Sequence, residues 1–291
     1  MRRAVAHVLD QLVSLLSLER IEENLFRGQS QDLGWGTVYG GQVIGQALSA
    51  ALNTVPKDRT AHSLHAYFLR PGDVSAPIVY DVERTRDGSS FTTRHVKAIQ
   101  HGHPIFDMSA SFQKSEPGFE HMAAMPAVPP PEEVPTEQER MKPFVEHFPE
   151  FMRERVLAEH PIEIRTIGEP DPSLRGTHPP QRQVWFKTVH PVADTPVLHQ
   201  ALLAYASDFS FITTALKPHG KTWISRGMQV ASIDHAVWFH APFRADEWLL
   251  HVMDSPRASG ARGLVRGQIF SRDGRLVAST SQEGLIRHRT E

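Results

Sequence analysis

Three side chains in the second half of the chain are unusual for their surroundings. Asp208 sits in Leu203-Ala204-Tyr205-Ala206-Ser207-Asp208-Phe209, a run of otherwise small and apolar residues. A carboxylate is costly to bury there unless something pairs with it, so the position invites a role as a proton acceptor. The ordinary alternatives are a helix-surface aspartate or a bond to a neighbouring loop. Ser232 heads the run 232–243, where a hydroxyl normally caps the strand or meets water. Gln282 stands in the last strand-like run, with Thr280 and Gly284 on its face by alternation. A mid-strand glutamine is usually an exposed polar residue. Geometry links the three, because a helix and the first and last strands of one folded unit can converge on a single spot.

The elements that must carry them follow from the apolar pattern. Residues 197–215 read as one helix, with Ala201, Ala204, Tyr205 and Ala206 inside it. Residues 230–240, rich in aromatic and β-branched types and stopped by Pro242, read as a strand apolar on both faces and hence central. Runs 248–254, 261–270 and 276–286 complete a set of four, with a hairpin at Asp273-Gly274.

The first half follows the same plan. Residues 39–52 form a small-residue helix behind Gly40-Gly41; glycine in a helix costs about 1 kcal/mol against alanine, so close packing must need the space. Four strand-like runs follow at 63–69, 77–85, 91–100 and 105–113. Pro71-Gly72-Asp73, Asp87-Gly88 and His101-Gly102-His103-Pro104 make the turns between them. An amphipathic helix over 4–22 and a short strand at 25–29 precede them. Residues 115–160, punctuated by Pro126, Pro129, Pro130, Pro131 and Pro135, read as a linker crossing one face, with a helix over 144–157. Short strands at 163–167 and 183–189 flank a Pro-rich loop.

The recurrence extends to residues. Tyr67-Phe68-Leu69-Arg70-Pro71 lies against Trp238-Phe239-His240-Ala241-Pro242, and 108–113 against 277–282. Gly41-Gln42 lies against His199-Gln200. A buried helix followed by an antiparallel meander, twice over, is an α+β pattern rather than βαβ. It predicts a double hotdog: an N-terminal repeat over 1–114, a linker over 115–160, and a C-terminal repeat over 161–291 that carries the site. The two sheets should pair edge to edge and so leave no open strand edge between them.

Composition narrows the function. The 291 residues carry a formal net charge of -2, without the basic excess of a nucleic-acid binder. There is no cysteine, which removes disulfides, thiolate nucleophiles and cysteine zinc sites. The seventeen histidines are scattered; the closest pair, His101 and His103, flanks a turn glycine, and no metal or cofactor is expected. No apolar run approaches the roughly 20 residues of a membrane span, the leucines after Met1-Arg2-Arg3 form a helical stripe, and His288-Arg289-Thr290-Glu291 is no peroxisomal tripeptide. A cytoplasmic location is expected.

At 232–243 and Gln282-Glu283-Gly284 the chain resembles the acyl-CoA thioesterase II family of double-hotdog enzymes. The likeness extends through Leu25-Phe26-Arg27-Gly28-Gln29, Gly40-Gly41-Gln42-Val43, 65–72, Tyr205-Ala206-Ser207-Asp208, 262–267 and 277–280. It implies hydrolysis of an acyl-CoA substrate by a water held between an aspartate, a hydroxyl residue and a glutamine. Carried onto this chain, these are Asp208, Ser232 and Gln282. In the first half Gln113 matches the glutamine, while Ala50 and Ser63 fall at the other two places, so one working site per chain is expected. The family also suggests association into dimers or tetramers.

As this resemblance implies, Asp208 would take the proton of the attacking water, and Ser232 and Gln282 would orient it. N–H groups near Gly40-Gly41 or at the second helix would meet the oxyanion, and Arg257, Arg262 and Arg266 are candidates for the CoA phosphates. His65 and His235 are expected to make structural hydrogen bonds. Two alternatives stay open: a hotdog enoyl-CoA hydratase, which would need a histidine paired with the aspartate, and a non-catalytic acyl-CoA-binding protein.

Overall fold

The computed structural model describes residues 2–34, 36–148, 150–168 and 176–289. Most of the Pro-rich loop after Ile167, and Thr290 and Glu291 of the C-terminal tetrapeptide, lie outside them. The elements begin with helix α1 (Arg2–Leu16) and strands β1 (Glu19–Glu22) and β2 (Leu25–Gly28). Helix α2 (Gly40–Leu52) follows, then β3 (Arg59–Phe68), β4 (Ile78–Asp87), β5 (Phe91–Gln100) and β6 (His103–Lys114). The crossing segment carries α3 (Glu137–Met141), a 3-10 helix (Lys142–His147) and α4 (Glu150–Val156). Strands β7 (Ile162–Thr166) and β8 (Gln181–Thr188) precede α5 (Pro196–Ala206) and a second 3-10 helix (Ile212–His219). Five strands close the chain: β9 (Met228–Ser232), β10 (Asp234–Phe239), β11 (Leu249–Ser259), β12 (Arg262–Ser271) and β13 (Leu276–His288).

The strands form one antiparallel sheet in the order β1-β2-β4-β5-β6-β3-β10-β13-β12-β11-β8-β7, with β9 paired to β13 beside β10. The halves meet at β3 and β10, where Leu64 faces Val237, so the expected edge-to-edge union is made by the central strand of the sequence pattern. The sheet packs on α2 and α5, which pack against each other. From Gly41 to Leu52 every residue of α2 is buried, which explains its alanine- and glycine-rich face. A Cβ on Gly41 would overlap the Tyr205 carbonyl oxygen, so these helices touch backbone to backbone.

Four expectations change. The first helix stops at Leu16, and Glu19–Glu22 is instead the exposed edge strand β1. Its leucine spacing is helical, but four polar-flanked residues at a sheet margin need no buried face. The helix over 144–157 is split between the 3-10 turn and α4. The helix over 197–215 ends at Ala206, with Ser207 as its C-cap. Ser210 then adopts a left-handed φ of 57°, turning the chain before the 3-10 helix resumes the apolar pattern. The strand over 230–240 breaks at Ile233, whose N–H donates to Glu283 O (2.9 Å) and whose carbonyl accepts from Phe68 N–H (2.9 Å). Ser232 therefore ends β9 rather than heading a strand.

The Pro-rich crossing segment is pinned from outside. Trp185 Nε1 donates to Pro129 O (2.9 Å), and Arg165 Nη1 to Pro131 O (2.8 Å) and Val134 O (2.9 Å). Val134 packs there with Trp185, Leu250 and Phe270 in a small apolar layer of its own.

Candidate active site

The break after α5 and the break between β9 and β10 aim two side chains at one point on β13. Gln282 Nε2 donates to Asp208 Oδ1 (2.7 Å) and to Ser232 Oγ (2.8 Å). The three predicted residues thus meet, with Gln282 as the bridge. Gln282 is fully buried, and its Oε1 has no hydrogen-bond partner among the described residues. Asp208 lies just beyond α5 and keeps some exposure to a cavity. Desolvation raises its pKa above the ordinary carboxylate value, while Gln282, the Gly41 N–H and the Ser232 hydroxyl pull it back down.

The start of α2 completes the wall. A Cβ on Gly40 would lie 2.7 Å from Asp208 Oδ2 and 3.0 Å from the Phe68 ring, so only glycine leaves the carboxylate its place. The positive end of the α2 dipole thereby faces the negative group. Tyr39, just before the glycines, donates from its hydroxyl to Tyr205 O (3.0 Å) and stacks on Phe209 at 4.7 Å. Sequence reasoning missed Tyr39; an aromatic residue directly ahead of a Gly-Gly helix start was the available signal.

The cavity has a volume of about 930 Å³. Val38, Phe68, Ile105, Phe106 and Phe209 give it apolar walls, and the crossing segment adds Met141 and Phe148. Arg70, Arg140, Arg182, Lys217 and Lys221 line it, against the carboxylates Glu137 and Asp208 among the described residues. That excess of cations suits a polyanionic ligand. The arginines singled out from the sequence lie elsewhere: Arg262 pairs with Glu283 (3.0 Å), Arg266 with Asp254 (2.7 Å), and Arg257 faces Leu264 in the β11–β12 ladder. The contribution of the crossing segment was also missed, although Thr136 and Glu139 form a capping box legible in sequence.

Of the two singled-out histidines, His235 makes the expected hydrogen bond, to Ser207 Oγ (2.9 Å). His65 instead packs edge-on against Trp238 at 5.1 Å. His101 bonds Asp73 (2.8 Å) beside its turn.

The sheet register corrects the internal match. Ser63 pairs with Trp238 and Tyr67 with Asp234, so the two-fold axis between β3 and β10 exchanges Ser63 with Asp234 and Ala61 with Ser232. Ala61 in turn faces Phe112 and Ser232 faces Gly284, which sets Ala110 opposite Gln282 by the same symmetry. The β3 irregularity at His62 matches the break at Ile233, and the local likeness of Ser111-Phe112-Gln113 to Thr280-Ser281-Gln282 shifts the frame toward Gln113. Alanine therefore stands at both strand positions, with Ala50 the sequence match for Asp208. Only one such constellation is formed by the described residues.

The chain is similar to known proteins over nearly its whole length. A model of a family described as acyl-CoA thioesterase matches residues 151–285, and one described as acyl-CoA thioesterase N-terminal domain matches 30–113. The acyl-CoA thioesterase 2 of Haemophilus influenzae is 50% identical over 287 residues, 97% of this chain and 99% of that protein. A crystal structure of an acyl-CoA thioesterase II from Mycobacterium marinum superposes with a TM-score of 0.78 at 41% identity, covering 96% of this chain and 98% of that one. A hotdog-fold protein of unknown function from Alicyclobacillus acidocaldarius gives a TM-score of 0.77 at 20% identity over 96% of this chain and 99% of its own, a likeness of fold alone.

Proposed function

The chain belongs to the acyl-CoA thioesterase family and hydrolyses acyl-CoA, and on that premise we propose that Asp208, Ser232 and Gln282 hold the attacking water. The observation that carries this reading is the bridging Gln282 amide, 2.7 Å from the Asp208 carboxylate and 2.8 Å from the Ser232 hydroxyl.

The chemistry is a direct addition. Water oxygen bonds to the thioester carbonyl carbon as Asp208 removes its proton. The Ser232 hydroxyl fixes the water in line, and the Gln282 amide holds that hydroxyl and the carboxylate in place. The Gly40 N–H at the start of α2, beside the Gly41 N–H that holds Asp208, receives the developing oxyanion. The tetrahedral carbon then expels the thiolate and collapses to the carboxylic acid, and the proton on Asp208 passes to the sulfur. A thiol of pKa near ~8.5 is a good leaving group, so no separate acid is required. The cations along the cavity take the CoA phosphates, and the apolar walls take the acyl chain.

The hydratase alternative needs a histidine against the aspartate. His199 lies in the first turn of α5 and Asp208 beyond its last, roughly 13 Å apart at 1.5 Å per residue. A thiol-release assay across acyl-CoA chain lengths tests the reading: wild type liberates CoA, and Asp208→Asn loses roughly 10²–10⁴-fold in kcat with its circular dichroism unchanged. Full activity in that variant would remove Asp208 from the mechanism, and loss of enoyl absorbance from crotonyl-CoA without free thiol would favour hydration. Association into dimers or tetramers, in the cytoplasm, extends the proposal. It is supported by Tyr67, 58% exposed on the outer face at the β3–β10 seam, and light scattering tests it.

A further inference from the structure

We propose that His235 is the positioning residue that sets the Asp208 carboxylate against Gln282 and Ser232, by holding the Ser207 hydroxyl at the end of α5. This rests on the role given to Asp208 above.

Ser207 Oγ–H donates to Ala204 O (2.9 Å), which leaves its oxygen to accept from His235 Nε2–H (2.9 Å). His235 is then the Nε2–H tautomer. Its Nδ1 is buried without a hydrogen-bond partner, and burial drops the imidazole pKa to about 3, so the ring stays a neutral donor. The bond has two ends that matter. One is the residue directly before Asp208. The other belongs to β10, three residues after Ser232 along the same run of chain. A single hydrogen bond thus ties the turn bearing the carboxylate to β10, which follows Ser232 across the break at Ile233.

That turn needs a tie. The helix ladder ends at Ser207 N–H to Leu203 O (2.8 Å); beyond it, before the 3-10 helix, only Phe209 N–H to Ala206 O (3.1 Å) and Phe211 N–H to Asp208 O (3.5 Å) follow, and Ser210 carries a left-handed φ that a side chain disfavours. The third member is reached through the same layer. His235 meets the edge of Phe211 (5.6 Å), Phe211 stacks on His251 (5.3 Å), and His251 Nε2 bonds Thr280 Oγ1 (3.0 Å), two residues before Gln282 on the same face of β13. A Cβ on Gly267 would overlap His251 Nε2, so β12 leaves that contact its space. The turn before Asp208 and the strand bearing Gln282 are therefore joined through one buried layer, in which His235 is the link to Asp208.

The test compares His235→Met, Ser207→Ala, the double variant and His235→Gln with Asp208→Asn and wild type. Misplacing a reacting group by about 1 Å costs roughly 10²-fold in rate. The expected result is a kcat loss of roughly tenfold to a hundredfold in His235→Met and in Ser207→Ala, with KM within about threefold. The double variant should be no worse than either single one. His235→Gln restores a donor at the Nε2 position and should recover most of kcat. The acid limb of kcat/KM should move toward the ordinary carboxylate value as Asp208 becomes better solvated. Tyr80→Phe, which removes a buried bond to Gln46 (2.6 Å) remote from the site, should lower Tm and leave kcat intact.

Full kcat in His235→Met beside an inactive Asp208→Asn overturns the inference and leaves the proposed chemistry standing. Losses that multiply in the double variant overturn it too. An active Asp208→Asn removes both. If His235→Met does not fold, the kcat of Ser207→Ala decides.

Discussion

At the scale of single residues, the site keeps a carboxylate where the fold would prefer an uncharged group. Because burial sets the folded pKa of Asp208 above its unfolded value, the folded chain binds this proton more tightly than the unfolded one. Stability from this group is therefore present at low pH and is lost as pH rises through the folded pKa. An asparagine in its place would keep the Gln282 contact without the charge. Asp208→Asn should accordingly raise Tm at pH 8, by roughly 2–4 °C for each kcal/mol gained, with the gain fading toward the ordinary carboxylate range. Activity has the opposite sign, since the ionised form is the acceptor: kcat/KM should fall as pH drops through the same pKa. Differential scanning fluorimetry and pH–rate profiles check the two halves of this prediction. A Tm for Asp208→Asn below wild type at pH 8 would contradict the assigned direction of the shift.

At the scale of elements, the site depends on how closely α2 approaches α5. Gly41→Ala drives a methyl into Tyr205 O and to 2.5 Å from the Tyr39 ring. The helices must part, which should cost about 1–3 kcal/mol by urea unfolding. It should also lower kcat, because the Gly41 N–H would withdraw from the carboxylate. Wild-type stability and turnover in Gly41→Ala would show that the two helices have slack. This approach was legible as a glycine-rich helix start, and so were nearly all the strands: 91–100 coincides with β5, and most of the rest are right within a few residues. The breaks were not. Ser207, Asp208 and Ser210 are turn-forming types, but apolar residues continue on both sides from Leu198 to Ala215, so the pattern reads as one helix across the end of α5. Ile233 is a good strand residue placed where the strand is interrupted. The family resemblance located Asp208, Ser232 and Gln282, whereas the local geometry that joins them comes from those two interruptions. The same blind spot misaligned the repeat, since a bulge changes register without changing composition.

At the scale of the whole molecule, the cavity belongs to both halves. Asp208 and Ser232 come from the second, with Gln282 buried behind them, and Tyr39, Gly40 and Phe68 from the first, across a seam where β3 and β10 share one ladder. The halves should therefore unfold together in a single urea transition followed by fluorescence and circular dichroism alike. Residues 115–291 expressed alone should release no thiol from acyl-CoA, and co-expression with residues 1–114 should restore it. An active isolated second half would disprove the shared construction.

The seam also has a consequence in time. On a ribosome the chain emerges in order, and β3 is complete, with β6 beside it, long before its other neighbour exists. About 120 residues must still be synthesised before β10 appears, roughly 6–24 s at 5–20 residues per second. Throughout that interval Arg59–Phe68 is an unpaired strand margin on a nascent chain, open to a copy of itself on a neighbouring ribosome. Crowded synthesis is then a condition under which this strand is open to aggregation.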